Sequence, residues 1–130
     1  MEECVFCKIV RGEIKSYRVY EDEEFLGFLD AFPSMNGQVL VIPKKHIAPY
    51  LFGVDDELYT KIMLVSKKVA NAIDRAIKPI KTGLIIEGLE VEHVHVKLYP
   101  LFKPFGIKQM DSRPSEQEME ETAKKITESI

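Results

Sequence analysis

The sequence predicts a single domain, residues 1–130, of mixed α and β structure. Three observations carry that reading. Residues 18–42 hold short apolar and aromatic runs separated by turn residues. Residues 56–76 hold one long stretch whose apolar positions recur every three or four residues. Residues 83–99 return to runs of strand period. A chain of 130 residues with 45% hydrophobic content can bury a real core.

Cys4-Val5-Phe6-Cys7 is a C-x-x-C pair. Thiols at this spacing can clasp one Zn²⁺, form a redox pair, or sit as two small buried hydrophobes. A thioredoxin-like role wants the pair after a strand and opening a helix, and no strand pattern precedes it here. Ile9 to Ile14 reads as a short helical turn ended by Gly12. Arg18–Glu21 and Phe25–Leu29 read as a hairpin around the turn Asp22-Glu23-Glu24, closed by Asp30. Residues 30–37 carry the Pro, Asn and Gly of a loop. Gln38–Ile42 is nearly all apolar, so it reads as a central strand, ended by Pro43 and followed by Lys44-Lys45-His46.

Asp55 and Asp56 are N-cap candidates for the long helix, whose buried face would hold Leu58, Ile62, Val65, Val69, Ala72, Ile73 and Ala76. Pro79 ends it. Gly83–Gly88 is a strand with a glycine exit. Glu92 to Tyr99 alternates with strand period, placing Val91, His93, His95, Lys97 and Tyr99 on one face and Glu92, Val94, Val96 and Leu98 on the other. Same-face neighbours on a strand are roughly 6–7 Å apart, so two imidazoles and an ammonium would form a row. Ordinary half-buried strand histidines are the plain alternative. Residues 101–114 are irregular, and Ser115 to Glu118 is a capping-box pattern opening an amphipathic helix with Met119, Ala123, Ile126 and Ile130. No internal repeat and no linker divides the chain.

The net charge of −3 and pI near 5.7 give no general drive toward nucleic acid or anionic membrane. No apolar run approaches a membrane span, and the acidic start Met1-Glu2-Glu3 lacks the pattern of a signal peptide. The expectation is a cytoplasmic protein with reduced Cys4 and Cys7.

Four pieces, in order, resemble the histidine-triad (HIT) nucleotide-binding proteins: Cys4 to Ile14, Phe28-Leu29-Asp30, Leu40 to His46, and His93-Val94-His95-Val96. The resemblance runs over nearly the whole chain. It implies an α+β, HIT-like fold: a mainly antiparallel sheet of about five strands, one long helix between the last two, a C-terminal helix and a homodimer. It further implies a nucleotide phosphohydrolase or nucleotidyl transferase. By motif position His95 would attack the α-phosphorus and form a covalent nucleotidyl-histidine. A neutral imidazole suits that task if its other nitrogen keeps the proton and donates it, in this family to an acceptor within the motif strand. Asp30 matches the family's ribose-binding acid, which favours a ribonucleotide or its conjugate, and Phe28, Leu29 and Ala31 would line the base pocket. Once His95 is assigned, Cys4, Cys7, His46 and His93 are left as a structural Zn²⁺ site like that of relatives with the same N-terminal cysteines.

The sequence departs from the family in three places. Lys97 stands at the third histidine position, where it offers a phosphate a cation in place of an imidazole. The phosphate loop is cut to Glu87-Gly88-Leu89-Glu90-Val91-Glu92, with Gly88 keeping the glycine, Glu90 where a hydroxyl donor is common and Glu92 adding a second negative charge. Gln38 stands where many members have His. Two alternatives to the enzyme therefore stay open: a catalytically weak nucleotide-binding or adaptor protein, and a zinc-thiol redox module.

Overall fold

The computed structural model describes residues 4–47 and 49–130, so the acidic start at residues 1–3 lies outside it. Five strands form one antiparallel sheet: β1 (Arg18–Glu21), β2 (Phe25–Leu29), β3 (Val39–Pro43), β4 (Lys81–Ile85) and β5 (Val96–Leu101), in the order β1-β2-β3-β5-β4. The hairpin β1–β2 and both of its boundaries are as the sequence indicates. β3 is central and buried throughout. Its alternation sends Val39 and Val41 into one core, and Leu40 and Ile42 into another on the opposite face.

The first core is covered by α2 (Asp56–Ile77). Asp55 caps it, its side chain accepting the Leu58 N–H at 2.8 Å, and Lys78 ends it in the left-handed region, one residue before Pro79. The buried face is Ile62, Ser66, Val69 and Ile73. Ala72 and Ala76, expected inside, are exposed along a cleft of about 220 Å³ shared with Val19, Leu29 and Lys68. They sit one position away from the line that meets the sheet, and Ser66 takes the interior place instead.

The second core lies under α1 (Val5–Val10), where Phe6 and Ile9 pack on Leu26, Phe28, Leu40 and Ile42. This corrects the expected turn at residues 9–14. Cys4 is an N-cap whose Sγ accepts the Cys7 N–H at 3.5 Å, so the helix starts inside the cysteine pair, and Gly12 follows its end at φ +78°.

Three further boundaries shift. β3 starts one residue late because Gln38 is held in the preceding loop. β4 covers 81–85, not 83–88, because its partners on β5 run from Leu101 back to Lys97. β5 starts at Val96, so His93 and His95 lie ahead of the strand. There the Val94 N–H turns to the Ile47 carbonyl at 3.4 Å and not to a sheet neighbour. The alternation of faces nevertheless holds: Val94, Val96 and Leu98 enter the α2 core, while His93 and His95 touch Phe6 on the α1 side. α3 (Glu116–Glu128) has the expected capping box but buries none of its residues. Among the described residues no helix is long and apolar enough to cross a membrane.

Candidate active site and metal cluster

The chemistry-bearing residues gather on the α1 face. His95 is 4% exposed and sits edge-on to Phe6, with ring centroids 5.1 Å apart. Its Nδ1 is 2.7 Å from the His93 carbonyl oxygen. A carbonyl only accepts, so Nδ1 carries the proton and Nε2 keeps a lone pair. Burial holds His95 below the ordinary imidazole range; the His93 carbonyl opposes this, the Lys97 cation adds to it, and the Glu87 and Asp30 carboxylates oppose it. Lys97 is half-buried and paired through its backbone in the sheet, while its side-chain ammonium has no hydrogen-bond or ion-pair partner among the described residues.

Asp30 follows β2 and is half-buried. Its Oδ1 accepts the Phe32 N–H at 2.9 Å and its Oδ2 accepts Gln38 Nε2–H at 2.8 Å. Phe28 is buried in the α1-side core, 5.8 Å edge-on to Phe6. Leu29 is not on that face: its side chain packs with the α2 core, as strand alternation requires, so it does not join Phe28. Ala31 is exposed in the loop. Gly88 has φ +70°, and a Cβ there would stand 2.8 Å from the Pro49 carbonyl oxygen. Its backbone conformation and that close approach both require glycine. Tyr99, two residues beyond Lys97, meets Phe105 edge-on at 5.1 Å and lines a cleft of about 680 Å³ with Glu87. Burial first, then the carboxylates of Asp30, Glu87 and Glu90, push its phenol up.

On the same side as α1, Cys4, Cys7, His46 and His93 place their ligand atoms all within 4.8 Å of one another. His93 Nδ1 is 3.4 Å from Cys4 Sγ and 3.6 Å from Cys7 Sγ, and His46 Nδ1 is 3.3 Å from Cys7 Sγ. The other nitrogen of His93, Nε2, donates to the Pro43 carbonyl at 2.8 Å, which leaves Nδ1 free toward the thiols. Burial pushes the Cys7 thiol up and neighbouring Cys4 adds to it, an arrangement that a divalent cation would reverse. The four side chains are thus close enough to hold a metal ion. The C-x-x-C pair opens a helix, as a redox pair would, but no strand precedes it among the described residues.

Phe6 and the Pro43 carbonyl shape the site without being indicated by the sequence, whereas Gln38 stands out there only as a departure at a family histidine position and the acceptor for His95 only as a group within the motif strand. The carbonyls leave no side-chain signal. Phe6 lies between the two cysteines as an ordinary apolar residue. The role of Gln38 beside Asp30 has its signal in a polar residue leading a run otherwise apolar.

A model of the HIT domain matches residues 11–103. An uncharacterized HIT-like protein from Borreliella burgdorferi is 41% identical over 113 residues, spanning 82% of this chain and 81% of that one. The adenosine 5′-monophosphoramidase HNT1 of Saccharomyces cerevisiae is 37% identical over 98 residues, 75% of this chain and 61% of that one. Among solved structures, a zinc-bound histidine triad family protein from Mycobacterium smegmatis superposes with a TM-score of 0.71 at 31% identity, over 91% of this chain and 87% of that one. With the five-stranded sheet, the long helix and the paired histidines, these matches make the conclusion plain: the chain belongs to the HIT domain family.

Proposed function

We propose that this protein is a nucleotide phosphohydrolase or nucleotidyl transferase that works through a covalent nucleotidyl-histidine on His95. The observation that carries this is the Nδ1–H of His95 donated to the His93 carbonyl, which presents Nε2 as a neutral nucleophile. Nε2 gives its lone pair to the α-phosphorus. The bond from phosphorus to the leaving group breaks, and the leaving group departs with the electron pair of that broken bond and takes a proton from solvent. Water then attacks the same phosphorus, the P–N bond breaks, and its electron pair returns to Nε2. A nucleoside monophosphate leaves and the water's proton passes to solvent. Because phosphoryl-type transfer rests on positioning and charge, Lys97 is assigned to the non-bridging or leaving oxygens.

Asp30 is assigned to the ribose hydroxyls and Phe28 to the base, with Leu29, Ala31 and Gly88 contributing backbone around them. Cys4, Cys7, His46 and His93 would hold a structural Zn²⁺. The thiol–imidazole distances of 3.3–3.6 Å suit ligands about 3.5 Å apart around a tetrahedral ion with Zn–S and Zn–N bonds of about 2.3 and 2.0 Å. Bound there, the ion would pin α1 to the segment carrying His95 and supply no chemistry to the reaction. We further assign the chain to one HIT domain acting as a cytoplasmic homodimer, with no nucleic-acid or membrane partner.

A second reading, a nucleotide-binding protein with little turnover, is favoured by Lys97 at the third motif position and by the exposed carboxylates of Glu90 and Glu92. Intact-protein mass spectrometry after brief acid quench with adenosine 5′-phosphoramidate separates the two. A transient adduct of one adenylyl group in wild type and none in His95→Ala is the expected result. Bound nucleotide with neither adduct nor turnover would transfer the assignment to the second reading.

A further inference from the structure

Gln38 is 3% exposed, an unusual place for an amide unless both of its ends are used. Both are. Oε1 accepts the Ser34 N–H at 2.7 Å and Nε2 donates to Asp30 Oδ2 at 2.8 Å. The orientation is forced, because an N–H only donates and a carboxylate only accepts. The backbone repeats the link, the Asp30 N–H donating to the Gln38 carbonyl at 3.0 Å. The two ends of the loop are therefore joined twice.

The consequence falls on Asp30. An ionised carboxylate offers about four acceptor positions. Phe32 N–H takes one on Oδ1 and Gln38 takes one on Oδ2. One position remains on each oxygen, and the two are held at a fixed angle. That is the pattern needed to receive two adjacent hydroxyls. Without Gln38 the carboxylate would keep a single anchor and turn about its terminal bond, whose torsion is broad.

We infer that Gln38 is a specificity-determining positioning residue, which locks the Asp30 carboxylate so that the site reads the paired 2′ and 3′ hydroxyls of a ribonucleotide. This rests on the nucleotide reading above and adds to it the residue that sets sugar discrimination. A glutamine does this as a neutral group, so the lock does not depend on the protonation of its own side chain.

The test is calorimetric titration of the full chain with AMP, 2′-deoxy-AMP and 3′-deoxy-AMP. Wild type should bind AMP about 10–100-fold more tightly than either deoxy analogue, the range of one hydrogen bond to a charged group. Gln38→Met keeps the length and loses both bonds. It should weaken AMP until the three ligands agree within about threefold, with the deoxy affinities unchanged. A role in folding alone would weaken all three alike, and that result would overturn the inference. Should Gln38→Met fail to fold, Gln38→Glu keeps the size, faces Asp30 with a like charge, and should lose the same discrimination. Unchanged discrimination in either folded variant also overturns it. Wild type that binds AMP without sugar preference would end this inference and leave the nucleotide reading standing. Wild type that binds no AMP would end both.

Discussion

His93 and His95 are two residues apart, both buried, and both edge-on to the same ring of Phe6, yet they present opposite nitrogens. His93 spends Nε2 on the Pro43 carbonyl and turns Nδ1 to the thiols of Cys4 and Cys7. His95 spends Nδ1 on the His93 carbonyl and keeps Nε2. Burial holds both rings below the ordinary imidazole range, so both are neutral near pH 7. Residue type and burial therefore do not separate the proposed metal ligand from the proposed nucleophile. The backbone carbonyl within reach of each ring does, by choosing which nitrogen carries the proton.

The sharpest way to break the comparison is to remove each ring in turn. His95→Ala should lower turnover of an adenosine phosphoramidate by about a thousandfold or more, or about 4 kcal/mol of transition-state stabilisation, with its melting temperature near wild type. His93→Ala keeps the carbonyl that orients His95. It should lower the melting temperature far more than it lowers turnover. Steady-state kinetics beside calorimetry on the two variants checks this, and equal effects on both readouts would erase the distinction.

The next effect is on the metal. Zn²⁺ at one per chain is expected by elemental analysis. Its removal by a chelator should cost a few kcal/mol, less than the roughly 10–16 kcal/mol of zinc-finger peptides, because the α2 core does not depend on it. Cys7→Ser should reproduce the loss at the melting temperature and make the chelator without further effect. A wild type purified without metal, whose melting curve ignores added Zn²⁺, would return the cluster to thiols and imidazoles in simple contact.

Much of this was legible in the chain. The hairpin at residues 18–29, the buried β3 and the long helix follow from period, turn residues and caps, which are local signals. The row of His93, His95 and Lys97 could be read from alternation even though the strand begins only at Val96. What alternation could not supply was the pull of the Ile47 carbonyl on the Val94 N–H, a contact made across the fold. α1 starts earlier than the local pattern indicates because Cys4 is a rare N-cap, and a helix opening inside a cysteine pair has no propensity signal. The face of Leu29 is a strand-parity fact, legible in retrospect from Phe28 in the opposite core. The tautomers of the two histidines were accessible only through the family resemblance for His95, and not at all for His93.

Lys97 sharpens the comparison from the phosphate side. Its positive charge favours the neutral form of His95, and among the described residues no carboxylate lies within ion-pair distance of it. Lys97→Met keeps the stem and removes the charge. The expected result is a fall in kcat of about 10–100-fold with little change in stability, as for the loss of one charged donor in a partly buried site. Lys97→His, which would place an imidazole at the third motif position, should recover part of that loss. A Lys97→Met variant as active as wild type would remove the cation from the mechanism and leave the two histidines to account for it.

The smallest effect belongs to the ring the two histidines share. Phe6 lies 5.1 Å from His95, 5.7 Å from His93 and 5.8 Å from Phe28, edge-on to all three. Phe6→Leu keeps the site apolar and removes these edge contacts, at a cost of about 1 kcal/mol beyond any lost area. Because the ring braces both imidazoles while their tautomers are set elsewhere, the variant should lower the melting temperature slightly and turnover by no more than about tenfold. The decisive measurement is its effect in the His95→Ala background. If the hydrogen bond to the His93 carbonyl orients His95 by itself, the stability cost of Phe6→Leu should be nearly the same in both backgrounds. If the cost vanishes when His95 is absent, the orientation of the nucleophile comes from ring packing as much as from the carbonyl, and the contrast between the two histidines would have to be rewritten in terms of Phe6.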